Sequence, residues 1–82
     1  MTVRAIVMEA ITEIARVAPP ASSSPQRLAQ DLGIDSLDFV RLVQVIEDRL
    51  DITLGDEQAA GVVTVDDLVL LCEATVAQSA NG

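Results

Sequence analysis

The chain contains no histidine, lysine, tryptophan or tyrosine, and it holds one cysteine and one phenylalanine among its 82 residues. Without histidine or lysine, general acid or base work near neutral pH falls to carboxylates whose pKa burial has raised. The acids here fall on polar helix faces. The two nearest Ser36, Asp35 and Asp38, suit helix capping better than activation of a hydroxyl. The chain is therefore expected not to be an enzyme.

The lone Cys72 excludes an internal disulfide, which makes a cytoplasmic location the default expectation. Between Leu68 and Val76 it reads as a small buried hydrophobe with an inert thiol. A zinc site would need a second ligand at usable spacing. Calcium loops started at Asp31, Asp51 or Asp56 each miss several oxygens of the EF-hand pattern, so no metal centre is expected. With Phe39 as the sole aromatic, the interior must be built from Ala, Val, Ile and Leu, which suits facing helices better than a small barrel.

Positive charge is also scarce. Thirteen acids stand against five arginines, a net charge of −8, which disfavours nucleic acid and anionic membrane surfaces and favours a basic patch on another protein. Apolar runs are all shorter than a membrane span, and Glu9 and Glu13 interrupt the N-terminal apolar residues that a signal peptide would need.

What is present is helical patterning over a single domain, residues 1–82. Val3, Ile6, Val7, Ala10, Ile11, Ile14 and Val17 recur by threes and fours, predicting a helix over 3–17. Ala18-Pro19-Pro20-Ala21-Ser22-Ser23-Ser24-Pro25 ends it and opens a long connection, which Leu28 and Leu32 are expected to pin over the core as a loose turn. Residues 36–50 predict a central helix with a broad apolar face of Leu37, Phe39, Val40, Leu42, Val43, Val45, Ile46 and Leu50. Asp56 to Ala60, stopped by Gly61, predict a short third helix. Thr64-Val65-Asp66-Asp67 resembles a capping box with Asp in place of Glu. It opens a last helix with Val65, Leu68, Val69, Leu71, Cys72, Thr75 and Val76 inward, and Ala80-Asn81-Gly82 are expected to fray.

The most informative stretch is Asp31-Leu32-Gly33-Ile34-Asp35-Ser36-Leu37. Gly33 supplies freedom to turn, Asp35 can cap the second helix, and Ser36 is left in the first helical position with its hydroxyl outward. A phosphate ester there would lie at the positive end of the helix dipole. Below it, Asp38, Arg41, Gln44, Glu47, Asp48 and Asp51 form a polar stripe on one exposed face.

That stretch, continued by Asp38-Phe39-Val40-Arg41-Leu42-Val43, resembles the acyl carrier proteins, whose pattern is a Leu-Gly-x-Asp-Ser-Leu/Met turn into helix two of a four-helix bundle. The likeness extends through Ile46 to Ile52, Leu54 to Ala59 and Val63 to Leu68, and is weakest in the Pro/Ser loop. It implies an all-α four-helix bundle with a short third helix and a long loop between helices one and two. It also implies 4′-phosphopantetheine on Ser36, transferred from coenzyme A by a separate phosphopantetheinyl transferase, with acyl groups carried as thioesters. Asp35 would help position the transferase's magnesium and coenzyme A. Leu37, Asp38, Arg41, Gln44, Glu47 and Asp48 would meet acyltransferases, ketosynthases or other acyl- or aminoacyl-processing enzymes bearing basic patches, with the carrier a monomer.

Leu37, Phe39, Val40 and Ile46 are expected in the core first, some of them lining a space for an acyl chain. Arg41 departs from the acid that fatty-acid carriers present there. It points either to a specialised pathway, such as polyketide or other secondary-metabolite assembly, or to a plain ion pair with Asp38 or an acid one turn later. Two other readings stand: a peptidyl or aminoacyl carrier, although the Gly-Gly-His/Asp-Ser turn is missing, and an unmodified acidic helical adaptor.

Overall fold

A computed structural model describes residues 2–15 and 27–81. The predicted helix end at residues 16–17 and the Pro/Ser connection at 18–25 lie outside the described residues. The architecture is an all-α bundle of four helices in chain order: α1 Val3–Ala15, α2 Ser36–Leu50, α3 Asp56–Ala60 and α4 Val65–Asn81. The closest helix packing is α1 on α2 and on α4, with the short α3 on α4.

The core is aliphatic, as a chain with one aromatic requires. Val7, Ala10 and Ile11 of α1 meet Leu42 and Ile46 of α2 and Leu68, Val69 and Cys72 of α4, all fully buried. These positions follow three- and four-residue spacing, so each helix gives one stripe to a common interior. Leu28 and Leu32 are buried beneath a turn in which the Asp31 and Leu32 N–H groups donate to the Arg27 carbonyl. The expected turn with Leu28 and Leu32 inward is therefore present. Two loops are also tied together, which no residue pattern foretold: Arg27 and Thr64 form an isolated antiparallel bridge, with the Leu28 N–H donating to the Val63 carbonyl at 3.0 Å.

Caps set the helix ends. The Asp67 N–H donates to Thr64 Oγ1 at 3.1 Å, and Asp67 Oδ2 accepts from the Thr64 N–H at 3.1 Å, which is the reciprocal box expected at the start of α4. Asp51 ends α2 in the left-handed region, at φ 54°, a conformation Asp tolerates better than most residues. Gly61 closes α3 in the right-handed region, so its lack of a side chain is not required there. α4 continues through Asn81, and Gly82, the last residue of the segment expected to fray, lies outside the described residues.

Candidate functional site

The turn into α2 is built from opposed demands on four consecutive residues. Gly33 takes φ +68°, Ile34 drops into the core at 3 % exposure, and its N–H donates to the Leu28 carbonyl at 3.0 Å. Asp35 is still in the extended region, its Oδ1 accepts the Asp38 N–H at 2.8 Å, and its own carbonyl accepts from the Phe39 N–H at 2.8 Å. A buried Ile34 on one side and a capped helix on the other fix where Ser36 falls. It is exposed, first in the helix, and among the described residues its hydroxyl has no hydrogen-bond partner. Free N–H groups of the first turn and the helix dipole make this a suitable seat for a phosphodiester.

Along α2 two parallel rows descend from this point. Ser36, Val40, Val43 and Glu47, spaced by four, three and four, line a groove of about 820 Å³ whose far wall includes Leu54, Ala59 and Val62. Beside them, Leu37, Arg41, Gln44 and Asp48 repeat the same spacing and are all exposed. The serine thus stands at the head of a groove lined by both apolar and polar side chains and next to an outward ridge of mixed polarity.

This arrangement corrects several expectations. Leu37 is 76 % exposed and Val40 52 % exposed, so neither belongs to the core, whereas Ile46 is fully buried and Phe39 half-buried against it. The spacing already carried the signal, because Leu37 precedes Arg41 by four and Gln44 by seven and therefore shares their face. Asp38 and Glu47 are half-buried and flank the exposed ridge, while Asp51 belongs to the helix end.

Glu47 is more than a solvated acid, since Oε2 accepts the Leu54 N–H at 2.8 Å. Arg41 forms no ion pair among the described residues; the pairs found there are Arg4 with Asp66 and Arg49 with Glu13. One turn after Arg41 stand Gln44 and Val45, which offer no acid. Cys72 is buried among Val69, Leu68 and their neighbours; desolvation, and then the charge of Glu73, push its thiol up to about 11.

The comparisons with known proteins bear on the same turn. A family model described as a phosphopantetheine attachment site matches residues 5–72. An acyl carrier protein of Helicobacter hepaticus is 38 % identical over 73 residues, covering 89 % of this chain and 91 % of that one. One from Sulfurovum sp. is 37 % identical over 67 residues, covering 82 % and 89 %. Among solved structures, a Mycobacterium tuberculosis protein assigned as an acyl carrier protein superposes with a TM-score of 0.75 at 29 % identity, covering 93 % of this chain and 96 % of that one.

Proposed function

The chain belongs to the acyl carrier protein family and carries covalently attached 4′-phosphopantetheine; from that premise we propose that Ser36 Oγ is the atom esterified. The observation that carries this reading is the exposed, unengaged hydroxyl at the first position of α2, at the head of the groove. Its oxygen would form the new P–O bond to coenzyme A, displacing adenosine 3′,5′-bisphosphate, and its proton would pass to a base supplied by the separate transferase. Asp35 fits a second task there, since only one of its oxygens is occupied by the Asp38 N–H. The other can help hold the magnesium and coenzyme A of that complex.

When bound, the arm supplies a terminal thiol on which acyl groups ride as thioesters. The protein's part is to present them, and tethering raises their effective concentration at each enzyme. Coverage of 89 % and 93 % of this chain by two such relatives supports reading residues 1–82 as one carrier domain. We take it as monomeric and cytoplasmic, serving acyltransferases, ketosynthases and related enzymes. Leu37, Arg41, Gln44 and Asp48, flanked by Asp38 and Glu47, form the docking ridge.

Arg41 has no ion-pair partner among the described residues and sets a positive charge among Asp38, Glu47 and Asp48, which favours enzymes of a specialised assembly pathway, polyketide or similar, over those of bulk fatty acid synthesis. The aliphatic part of the groove's lining, Val40, Val43, Leu54, Ala59 and Val62, suits the apolar part of an acyl cargo. The experiment is to incubate the purified chain with coenzyme A and a broad-specificity transferase and weigh it intact, alongside Ser36→Ala. Charging the loaded form with acyl and amino acids then separates an acyl from an aminoacyl carrier.

A further inference from the structure

The carboxylate at the start of α4 reaches further than a helix cap requires. Asp67 Oδ2 accepts the Thr64 N–H at 3.1 Å, which completes the capping box, and it also accepts the Val63 N–H one residue further back at 3.1 Å. The carbonyl of that same Val63 accepts the Leu28 N–H at 3.0 Å. Among the described residues this is the one backbone hydrogen bond outside the helices that joins segments far apart in the chain. Leu28 then offers its own carbonyl to the Ile34 N–H at 3.0 Å, and Ser36 follows two residues later. The 27–32 turn moves as one piece, because Asp31 Oδ2 accepts the Arg27 N–H at 2.8 Å and the Asp31 N–H donates to the Arg27 carbonyl at 2.9 Å.

We propose that Asp67 is a positioning residue for Ser36, acting along this path: its carboxylate orients Val63, Val63 seats the 27–32 turn, and the turn holds the Ile34 backbone from which the serine is presented. Two backbone donors on one charged oxygen fix the peptides on either side of residue 63 more firmly than neutral bonds would. Leu28 is 3 % exposed, so its N–H has little water to turn to when the Val63 carbonyl moves away, and the turn must shift with it. The proposal rests on the reading that Ser36 is the residue esterified. A serine moved off the line of attack loses turnover and keeps affinity, since the docking ridge lies elsewhere on α2.

The test uses the full chain as wild type, Asp67→Ala, Asp67→Asn and Thr64→Ala. Thr64→Ala removes the hydroxyl that accepts the Asp67 N–H and leaves both backbone bonds to the carboxylate, so it weakens the cap without cutting the path. Amide hydrogen exchange at Leu28 and Ile34 is read relative to Leu42 in the middle of α2, which reports global opening. Asp67→Ala should raise both relative rates about tenfold, Asp67→Asn, which keeps an acceptor oxygen without the charge, about threefold, and Thr64→Ala less than about twofold. In loading by a phosphopantetheinyl transferase, Asp67→Ala should lower kcat about tenfold with KM within about twofold of wild type, and Asp67→Asn should recover most of that loss.

Faster exchange at Leu28 without any at Ile34 would break the path, and an equal rise in Thr64→Ala would reduce Asp67 to an ordinary cap; either result overturns the proposal, as does an unchanged loading kcat in Asp67→Ala. Should Asp67→Ala fail to fold, Asp67→Asn must still exceed Thr64→Ala at both amides, and the reverse order overturns it. The exchange measurements involve no transferase, so a wild type that never loads would defeat the carrier reading and leave them intact.

Discussion

The Asp35 side chain and the Asp38 backbone are joined by a 2.8 Å hydrogen bond that spans Ser36, so the residue proposed to carry the arm is held inside a closed capping ring. The cap and the charge of Asp35 can be separated. Asp35→Ala should cost about 1 kcal/mol of stability through the lost cap, whereas Asp35→Asn, a good capping residue, should keep most of it. Both should slow loading by a transferase, because both remove the carboxylate. Thermal unfolding combined with kcat/KM for loading checks this, and full loading activity in Asp35→Asn would deny Asp35 any role beyond the cap.

A second capping ring carries a pH dependence. Asp67 has its pKa lowered from 3.8, first by the Thr64 backbone hydrogen bond and then by that of Val63, opposed by partial desolvation. A folded pKa below the unfolded one means the carboxylate stabilises the fold above about pH 4, and that this contribution is lost as pH falls through the folded value. The melting temperature of wild type should therefore fall more steeply between pH 4 and pH 2 than that of Asp67→Asn. Parallel curves would remove Asp67 from the acid response.

Arg41 should act on partner choice and not on stability. It is exposed and unpaired among the described residues, so Arg41→Glu should leave the melting temperature nearly unchanged. With a transferase whose docking patch is uniformly basic, the same change should raise kcat/KM about threefold or more at low salt, and the gain should shrink as salt is added. A salt-independent effect would indicate contact geometry instead of charge.

Cys72 should be silent to thiol reagents in the folded protein. It is fully buried and its thiol is pushed up to about 11, so the reactive thiolate is scarce and inaccessible. A disulfide reagent should find no fast-reacting thiol before loading and one per chain after it, the newcomer being that of the arm. Rapid reaction of the unloaded protein would show that the α4 face opens.

The fold is legible in the sequence where one residue type leaves few structural choices. The span of α2, the Asp35 cap, the turn at Gly33, the Thr64–Asp67 box and the burial of Leu28, Leu32 and Cys72 all follow from local chemistry, and all are found. Leu37 and Val40 depart from the inward placement their apolar character suggests, because a helix with eight apolar residues in fifteen has more of them than one buried face can hold. The tie between Arg27 and Thr64 and the reach of Glu47 to Leu54 depend on how two loops meet in space, which no periodicity encodes.

The central claim is that Ser36 is the attachment point and otherwise a spectator of the fold. Intact mass of wild type and Ser36→Ala after incubation with coenzyme A and a broad-specificity phosphopantetheinyl transferase tests it most directly. Wild type should gain one phosphopantetheine. Ser36→Ala should gain none while unfolding within about 1 kcal/mol of wild type, since an exposed hydroxyl without described partners contributes little. A correctly folded Ser36→Ala that still gains the arm, or a wild type that never does, would contradict it.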